Sequence, residues 1–457
     1  MPVRIICSIS LIYMTRMLGL FMVLPVIMLL GQDYAGATAA SLGMALGIYG
    51  LTQAGLQIPL GMLSDMVGRR PVLVAGLILF ALGSVVAALA ESVNGLIIGR
   101  ALQGAGAISS TLLALLADLT PPRHRTTALA IVGVSIGLSF SLAMVLGPMV
   151  AAWGGLAGIF VLTTGLALIA LVLVMTLPRP TRQVSDGYQR WRPELLPIVL
   201  RTRGLWPLHL GIFCLHAVLA ALFLVAPERL AALGYSLTQQ GLIYLAMAAV
   251  ALLALGPMMR VSERHHRPKS MILLAQLLVL AAIVLLPAGS GERVPTFVAL
   301  ALFFVGFNFL EASLPSWLSR LAPSAHRGTA MGVFSSFQFL GAAAGGILGG
   351  LGLDAGGGLF VLGCAAGFLL VWGLFTLHAE PPPLSRQITL EARELADLEP
   401  NRTEGWGLHL WAEQLAALDG VLDVHILDDE SALMVRVSGQ ELDRTALLAA
   451  HDKSTTD

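Results

Sequence analysis

Charge is what this sequence has least of. Of its 457 residues only 12% are Asp, Glu, Lys or Arg, while 56% are apolar. A soluble globular chain carries about a quarter charged residues, so an ordinary water-soluble enzyme is excluded. Cysteine is equally scarce. Cys7, Cys214 and Cys364 all fall within apolar runs and have no metal-ligand spacing, which leaves no disulfide framework and no metal site. No Gly-x-x-x-x-Gly-Lys-Ser/Thr loop occurs, so ATP-driven work is unsupported. No nucleophile, base and acid stand in a catalytic arrangement, and nothing calls for a cofactor or a nucleic-acid partner. The first apolar run, residues 5–30, is too long for a signal-peptide core and lacks a small-residue cleavage site, so it reads as a first membrane span.

What the chain does have is apolar blocks of twenty residues or more, each long enough for a helix to cross ~30 Å of hydrocarbon. Twelve spans are expected, near 5–30, 39–64, 71–90, 95–117, 126–152, 157–177, 204–226, 236–260, 269–287, 295–319, 327–352 and 357–378. The lipid bilayer is therefore the partner of most of the surface. The Arg- and Pro-rich stretch after the sixth span divides the chain into a six-helix bundle over 1–178, a linker over 179–203 and a second bundle over 204–379. Residues 380–457 are of another kind. They hold 6 Lys+Arg and 16 Asp+Glu, against 21 and 11 in residues 1–379, so a basic membrane body carries an acidic tail.

The loops after even-numbered spans hold sixteen basic residues, including Arg69, Arg70, Arg123, Arg125, Arg264 and Lys269, while the other side holds Arg229 and Arg293. Basic loops stay in the cytoplasm, which places both termini there, in the plasma (inner) membrane of a bacterium. The halves are also related. Leu119 to Ala128 aligns with Leu321 to Ala330 at an offset of 202, and the same offset puts Phe21, Val23 and Pro25 on Phe223, Val225 and Pro227. Two parallel repeats commonly enclose a substrate cavity at the bilayer midplane.

Between spans two and three lies Gly61-Met-Leu-Ser-Asp65-Met-Val-Gly68-Arg69-Arg70. Its glycines allow a tight turn between two helix ends, and Asp65 can pair with the arginines. This resembles the signature loop of the major facilitator superfamily, Gly-x-x-x-Asp-x-x-Gly-Arg-Arg. The fourth span adds Gly99-Arg100-Ala-Leu-Gln103-Gly104, which resembles the family's fourth-helix motif. The resemblance implies an all-helical transporter fold of twelve spans, and a role for Arg100 in proton transfer. The other reading of Arg100 is a structural tie to backbone carbonyls or Gln103. Gly147-Pro148 is similar to the antiporter motif of drug exporters without its flanking glycines. Arg16 to Val26, Phe307 to Pro315 and the acidic tail resemble a drug–proton antiporter group whose members end in a small ferredoxin-like domain.

Charges inside hydrocarbon cost ~3 kcal/mol or more and are functional candidates by default. They are Arg16, Arg100 and Glu311, with Asp65 and Asp118 near the cytoplasmic ends. Burial favours the neutral form of Glu311 and a nearby cation its charged form, so a change in surroundings could load and release a proton. Asn308 stands one helical turn away, and Arg16, Asn308 and Glu311 are the expected cavity residues. The alternative for Glu311 is a structural group, permanently neutral or salt-bridged, that holds two helices together, with Arg16 as one candidate partner. Asp65, Arg69, Arg70 and Asp118 are expected to form a charge cluster that holds the outward-facing state. His209 and His216 read as helix-packing residues. Arg16 stands where many drug exporters have an acid, which permits an anionic or zwitterionic substrate.

In the tail, strand, helix, strand, strand and helix are expected at 387–390, 408–418, 421–427, 431–437 and 442–450, a split βαβ layout. Its negative charge suits docking on the basic cytoplasmic face. The leading functional expectation is proton-driven export of a small amphiphilic compound. The alternatives are a facilitator or symporter for a metabolite, and a membrane sensor that signals through its tail.

Overall fold

A computed structural model describes residues 3–120, 122–178, 196–264, 267–288, 291–322, 327–379, 385–391, 406–426, 432–438 and 447. Among them, nine helices are long and apolar enough to cross a membrane. Two of these are double. α7 (Pro122–Thr176) and α13 (Arg327–His378) are each interrupted by one left-handed glycine, Gly155 at φ 62° and Gly357 at φ 70°. Each glycine turns one long helix into two crossings, and the two lie 202 residues apart, the offset of the repeat.

The remaining crossings are α1 (Val3–Phe21), α3 (Ala39–Val67), α4 (Arg69–Ala88), α5 (Val93–Ala105) with α6 (Ser109–Asp118), α9 (Trp206–Ala232), α10 (Leu237–Arg264), α11 (Pro268–Ala288) and α12 (Arg293–Leu321). α3 is long enough at 29 residues, but Gln53 and Gln57 dilute its apolar character. Two short helices, α2 (Ile27–Leu30) and α8 (Leu196–Arg201), complete the body. The twelve expected spans are all present, with two departures. The first bends at 22–26, around Pro25, which has no N–H for the ladder. The fourth breaks at 106–108, where a side chain on Gly106 would lie 2.4 Å from the Gly76 carbonyl oxygen. Local chemistry sets the other ends. Thr38 and Ser41 cap α3 reciprocally. Gly68, at φ 100°, lets α4 start at Arg69 directly after α3 stops.

One end of the body, the basic end, carries Arg69, Arg70, Arg264 and Arg320 at the ends of α4, α10 and α12. The halves meet away from it. A Cβ on Gly43 would stand 2.4 Å from the Gly346 carbonyl oxygen, and one on Gly47 2.6 Å from that of Ala343, so α3 and α13 touch backbone to backbone. Asp354 accepts from the Ala40 N–H at 3.0 Å, and Gln32 donates to Glu228 at 3.4 Å. Nearer the middle, Phe140 of α7 packs on Phe21 of α1 and on Phe304 and Phe307 of α12, with centroids 4.8–5.8 Å apart.

The tail has its own core. β1 (Ser385–Glu391), β2 (Val421–Ile426) and β3 (Ala432–Ser438) form an antiparallel sheet in the order β1-β3-β2, with Ser385 opposite Ser438 and Val424 opposite Val435. The helix Trp406–Ala416 lays Trp411 and Leu415 against Ile388, Leu390, Leu433, Val435 and Val437. The expected last helix, 442–450, lies outside the described residues except for Leu447, which is buried in this core.

Candidate functional site

Arg16 projects from α1 into the first bundle and is 2% exposed. Hydrocarbon offers a guanidinium nothing, so its hydrogens must find oxygens nearby. It donates to Ser109 Oγ at 2.8 Å, to Gln53 Oε1, and at 3.5 Å to the Tyr49 hydroxyl. Gln53 in turn donates to Gln57 and Ser109, both at 3.2 Å. Every partner is neutral, and Arg16 Nε has none. Among the described residues no carboxylate lies within ion-pair distance of Arg16, so a salt bridge to Glu311 is not what holds it.

Arg100, 1% exposed, is fixed one layer away. Its Nε donates to the Ala45 carbonyl at 3.3 Å and its Nη1 to Gln103 at 2.9 Å, while Gln103 donates to Ser84 at 2.8 Å. Its guanidinium lies 4.7 Å from the Tyr49 ring centre. Tyr49 thus joins the arginines, stacking under Arg100 and accepting from Arg16.

Glu311 belongs to a second cluster, across the repeat. Gln338 of α13 donates to Glu311 Oε1 at 3.0 Å and lies 2.9 Å from His216 Nε2. His216 Nδ1 is 3.2 Å from the Ile212 carbonyl, which can only accept, so the neutral ring carries its proton on Nδ1 and Nε2 accepts from Gln338. Glu311 Oε2 is buried without a hydrogen-bond partner, 3.8 Å from that same Nε2. A second proton on His216 would expel the Gln338 donor and leave an imidazolium facing a carboxylate. The cluster therefore has two self-consistent proton arrangements. Asn308 is not part of it, since its side-chain amide donates to the Phe304 carbonyl at 2.8 Å, one turn back on its own helix.

At the basic end Arg69 donates to Asp65, to Asp118 at 3.0 Å and to Ser64 at 2.7 Å, and Ser64 caps the Gly61 carbonyl at 2.6 Å. This cluster ties α3 to α6 within the first bundle, and it is formed while the opposite ends of the halves are in contact. Arg70 stands apart from it and donates to the Met175 carbonyl. The second half repeats that contact, with Lys269 donating to the Leu377 carbonyl at 2.7 Å. Met175 and Leu377 are again 202 apart.

Several partners escaped the sequence reading. Tyr49, Gln53, Ser109 and Gln338 carry no net charge, and His216 reads as packing until Gln338 stands beside it. One signal was available, since the offset of 202 carries Glu311 onto Ser109. The repeat thus puts a polar group at one place in both halves.

Twelve membrane-crossing helices in two repeats, with charges buried on both sides of the seam, define a membrane transport protein rather than an enzyme. The chain belongs to the Major Facilitator Superfamily, whose model matches residues 9–228 and 208–422. It is 37% identical over 444 residues to the inner membrane transport protein YajR of Escherichia coli, covering 95% of this chain and 94% of that one. It is 31% identical to the multidrug resistance protein MdtH of Aeromonas hydrophila, covering 73% of this chain and 83% of the relative. The solved structure of a D-xylose-proton symporter superposes with a TM-score of 0.67 at 18% identity, over 83% of this chain and 98% of that one, which is a likeness of fold.

Proposed function

We propose that this protein is a secondary active transporter that moves a small amphiphilic compound by alternating access, coupled to protons through Glu311. One observation carries the reading: a buried carboxylate oxygen without a hydrogen-bond partner, 3.8 Å from an imidazole nitrogen that a shared amide holds in its accepting form. Such a pair takes up or gives off a proton when its surroundings change, which is what coupling requires. Arg100 and Asp118 are the other coupling candidates. Arg100 donates to Gln103 and a backbone carbonyl, and Asp118 accepts from Arg69, so both are held by a partner of opposite character, whereas Glu311 Oε2 is buried with no hydrogen bond.

Export is supported by the relatives named multidrug resistance protein, and proton exchange is the form of it that Glu311 would give. Cotransport of a metabolite is the second reading, favoured by the uncompensated charge of Arg16. The basic end is inferred to face the cytoplasm of an inner membrane, with both termini on that side. The tail is inferred to be a split βαβ unit, because β3 lies antiparallel between β1 and β2 and a helix connects those two. Docking of this acidic unit on the basic end follows from their opposite charges.

The test is transport in proteoliposomes across a library of candidate compounds under an imposed pH gradient, wild type against Glu311→Gln. The expected result is gradient-driven accumulation in the wild type only, with counterflow exchange retained in the variant. Equal accumulation in both would remove Glu311 from the coupling.

A further inference from the structure

Proton coupling leaves the chemistry of the substrate open, and the buried charges narrow it. Arg16 and Arg100 are 2% and 1% exposed, and every group that satisfies them is a neutral dipole: Ser109, Gln53, Tyr49, Gln103 and the Ala45 carbonyl. Among the described residues, the second half places the carboxylate of Glu311 beside His216 and Gln338. His216 beside it is neutral by its hydrogen bonding, with Nδ1 on a carbonyl and Nε2 accepting. The seam between the halves therefore carries an excess of positive charge within hydrocarbon, where an uncompensated ion is costly.

The two arginines differ in what they can still do. Arg100 is covered by the Tyr49 ring and used on both Nε and Nη1. Arg16 also lies over a ring, that of Phe80 at 5.8 Å, but keeps Nε buried and without a partner. Nε and one terminal nitrogen form the edge of a guanidinium that meets a carboxylate with two parallel hydrogen bonds. The terminal nitrogens now rest on a serine, a tyrosine and a glutamine, which a carboxylate oxygen replaces without leaving a charge behind. Phe21, Phe140, Phe304 and Phe307 pack on one another at the same seam, and would meet the apolar body of a ligand only where the halves part there.

We infer that Arg16 is the recognition group for the negative end of the substrate, and that the substrate class is an aromatic or alkyl carboxylate. This rests on the transport reading above and names its ligand. It also sets a sign. An anion on Arg16 and the ionised carboxylate of Glu311 repel across the seam, so anion and proton bind together. The other titratable groups facing Glu311 are His216 of α9 and Tyr13 of α1; Gln338 of α13 is neutral. For a carboxylate substrate the coupling then runs as cotransport.

The experiment measures binding to the full-length purified protein with three ligands of one shape: naphthoate, naphthamide and naphthylmethylammonium. Wild type is expected to bind naphthoate about tenfold or more tighter than the amide, the scale of one charge-assisted hydrogen bond, and the ammonium weakest. Arg16→Gln is expected to abolish the preference for naphthoate over naphthamide. Arg16→Lys, which keeps the charge but not the fork, retains a reduced preference and carries the test if the glutamine variant does not fold. Glu311→Gln is expected to tighten naphthoate at neutral pH. Equal binding of naphthoate and naphthamide to the wild type overturns the inference, as does an undiminished preference in either Arg16 variant. Failure of the transport reading looks different: naphthoate binds through Arg16, yet a pH gradient drives no flux.

Discussion

Arg69 is one guanidinium serving two carboxylates and a hydroxyl, and removing it would take from Asp65 and Asp118 the cation they share. Arg69→Gln should lower stability by about 2 kcal/mol, the worth of a charged hydrogen bond left unmade, seen as an earlier thermal transition in detergent. Melting indistinguishable from wild type would mean that the cluster does not brace the bundle. At the second cluster, Gln338→Leu removes the amide shared by Glu311 and His216. The midpoint of the pH–flux profile should move by about one pH unit, because one such unit corresponds to roughly one hydrogen bond. An unmoved profile with intact flux would take Gln338 out of the proton site.

The charged members of these clusters were legible in the sequence, because an ion inside an apolar run is costly and so stands out. Their neutral partners were not. Gln53 and Gln338 look like any other polar residue until helices from distant parts of the chain bring them to Arg16 and Glu311. Asn308 shows the converse, standing one turn from Glu311 yet spending its amide on its own helix.

Among the elements, the two double helices carry the clearest prediction. Gly155 and Gly357 hold left-handed backbone, and a Cβ on either meets nothing within 4 Å, so alanine there costs only backbone strain. Gly155→Ala and Gly357→Ala should each destabilise by about 1–2 kcal/mol, and the pair should add. Gly43 is the opposite case, with ordinary dihedrals but no room. Gly43→Val should force α3 from α13 and populate the state in which these ends part. Spin labels at Gln32 and Glu228 would report it as a longer distance than in wild type; unchanged distances would mean that this contact does not gate the halves. Apolar run length made the spans readable. The bend at Pro25 and the break at 106–108 were not readable, since the break follows from how closely Gly76 approaches Gly106 in three dimensions.

At the scale of the whole molecule, the repeat was visible in the sequence and recurs in the structure at further places: the left-handed glycines, the Arg70–Met175 and Lys269–Leu377 ties, and Ser109 opposite Glu311. The two halves differ where the chemistry lies, a cation with neutral partners on one side and a carboxylate with an imidazole on the other. The acidic tail adds a separate prediction. If charge holds it to the basic end, raising the salt from 0.05 to 0.5 M, which shortens the Debye length to about 4 Å, should release it. Fluorescence transfer between a tail label and a body label would fall; a salt-independent signal would mean that docking is not electrostatic.

On this reading Glu311 carries the coupled proton. The most direct measurement is the number of protons taken up or released when a transported compound from the library binds the purified protein in weakly buffered detergent, followed with an indicator dye. A clear proton change is expected in the wild type, uptake for a carboxylate ligand, and none in Glu311→Gln despite comparable binding. The same proton change in both proteins would contradict that reading.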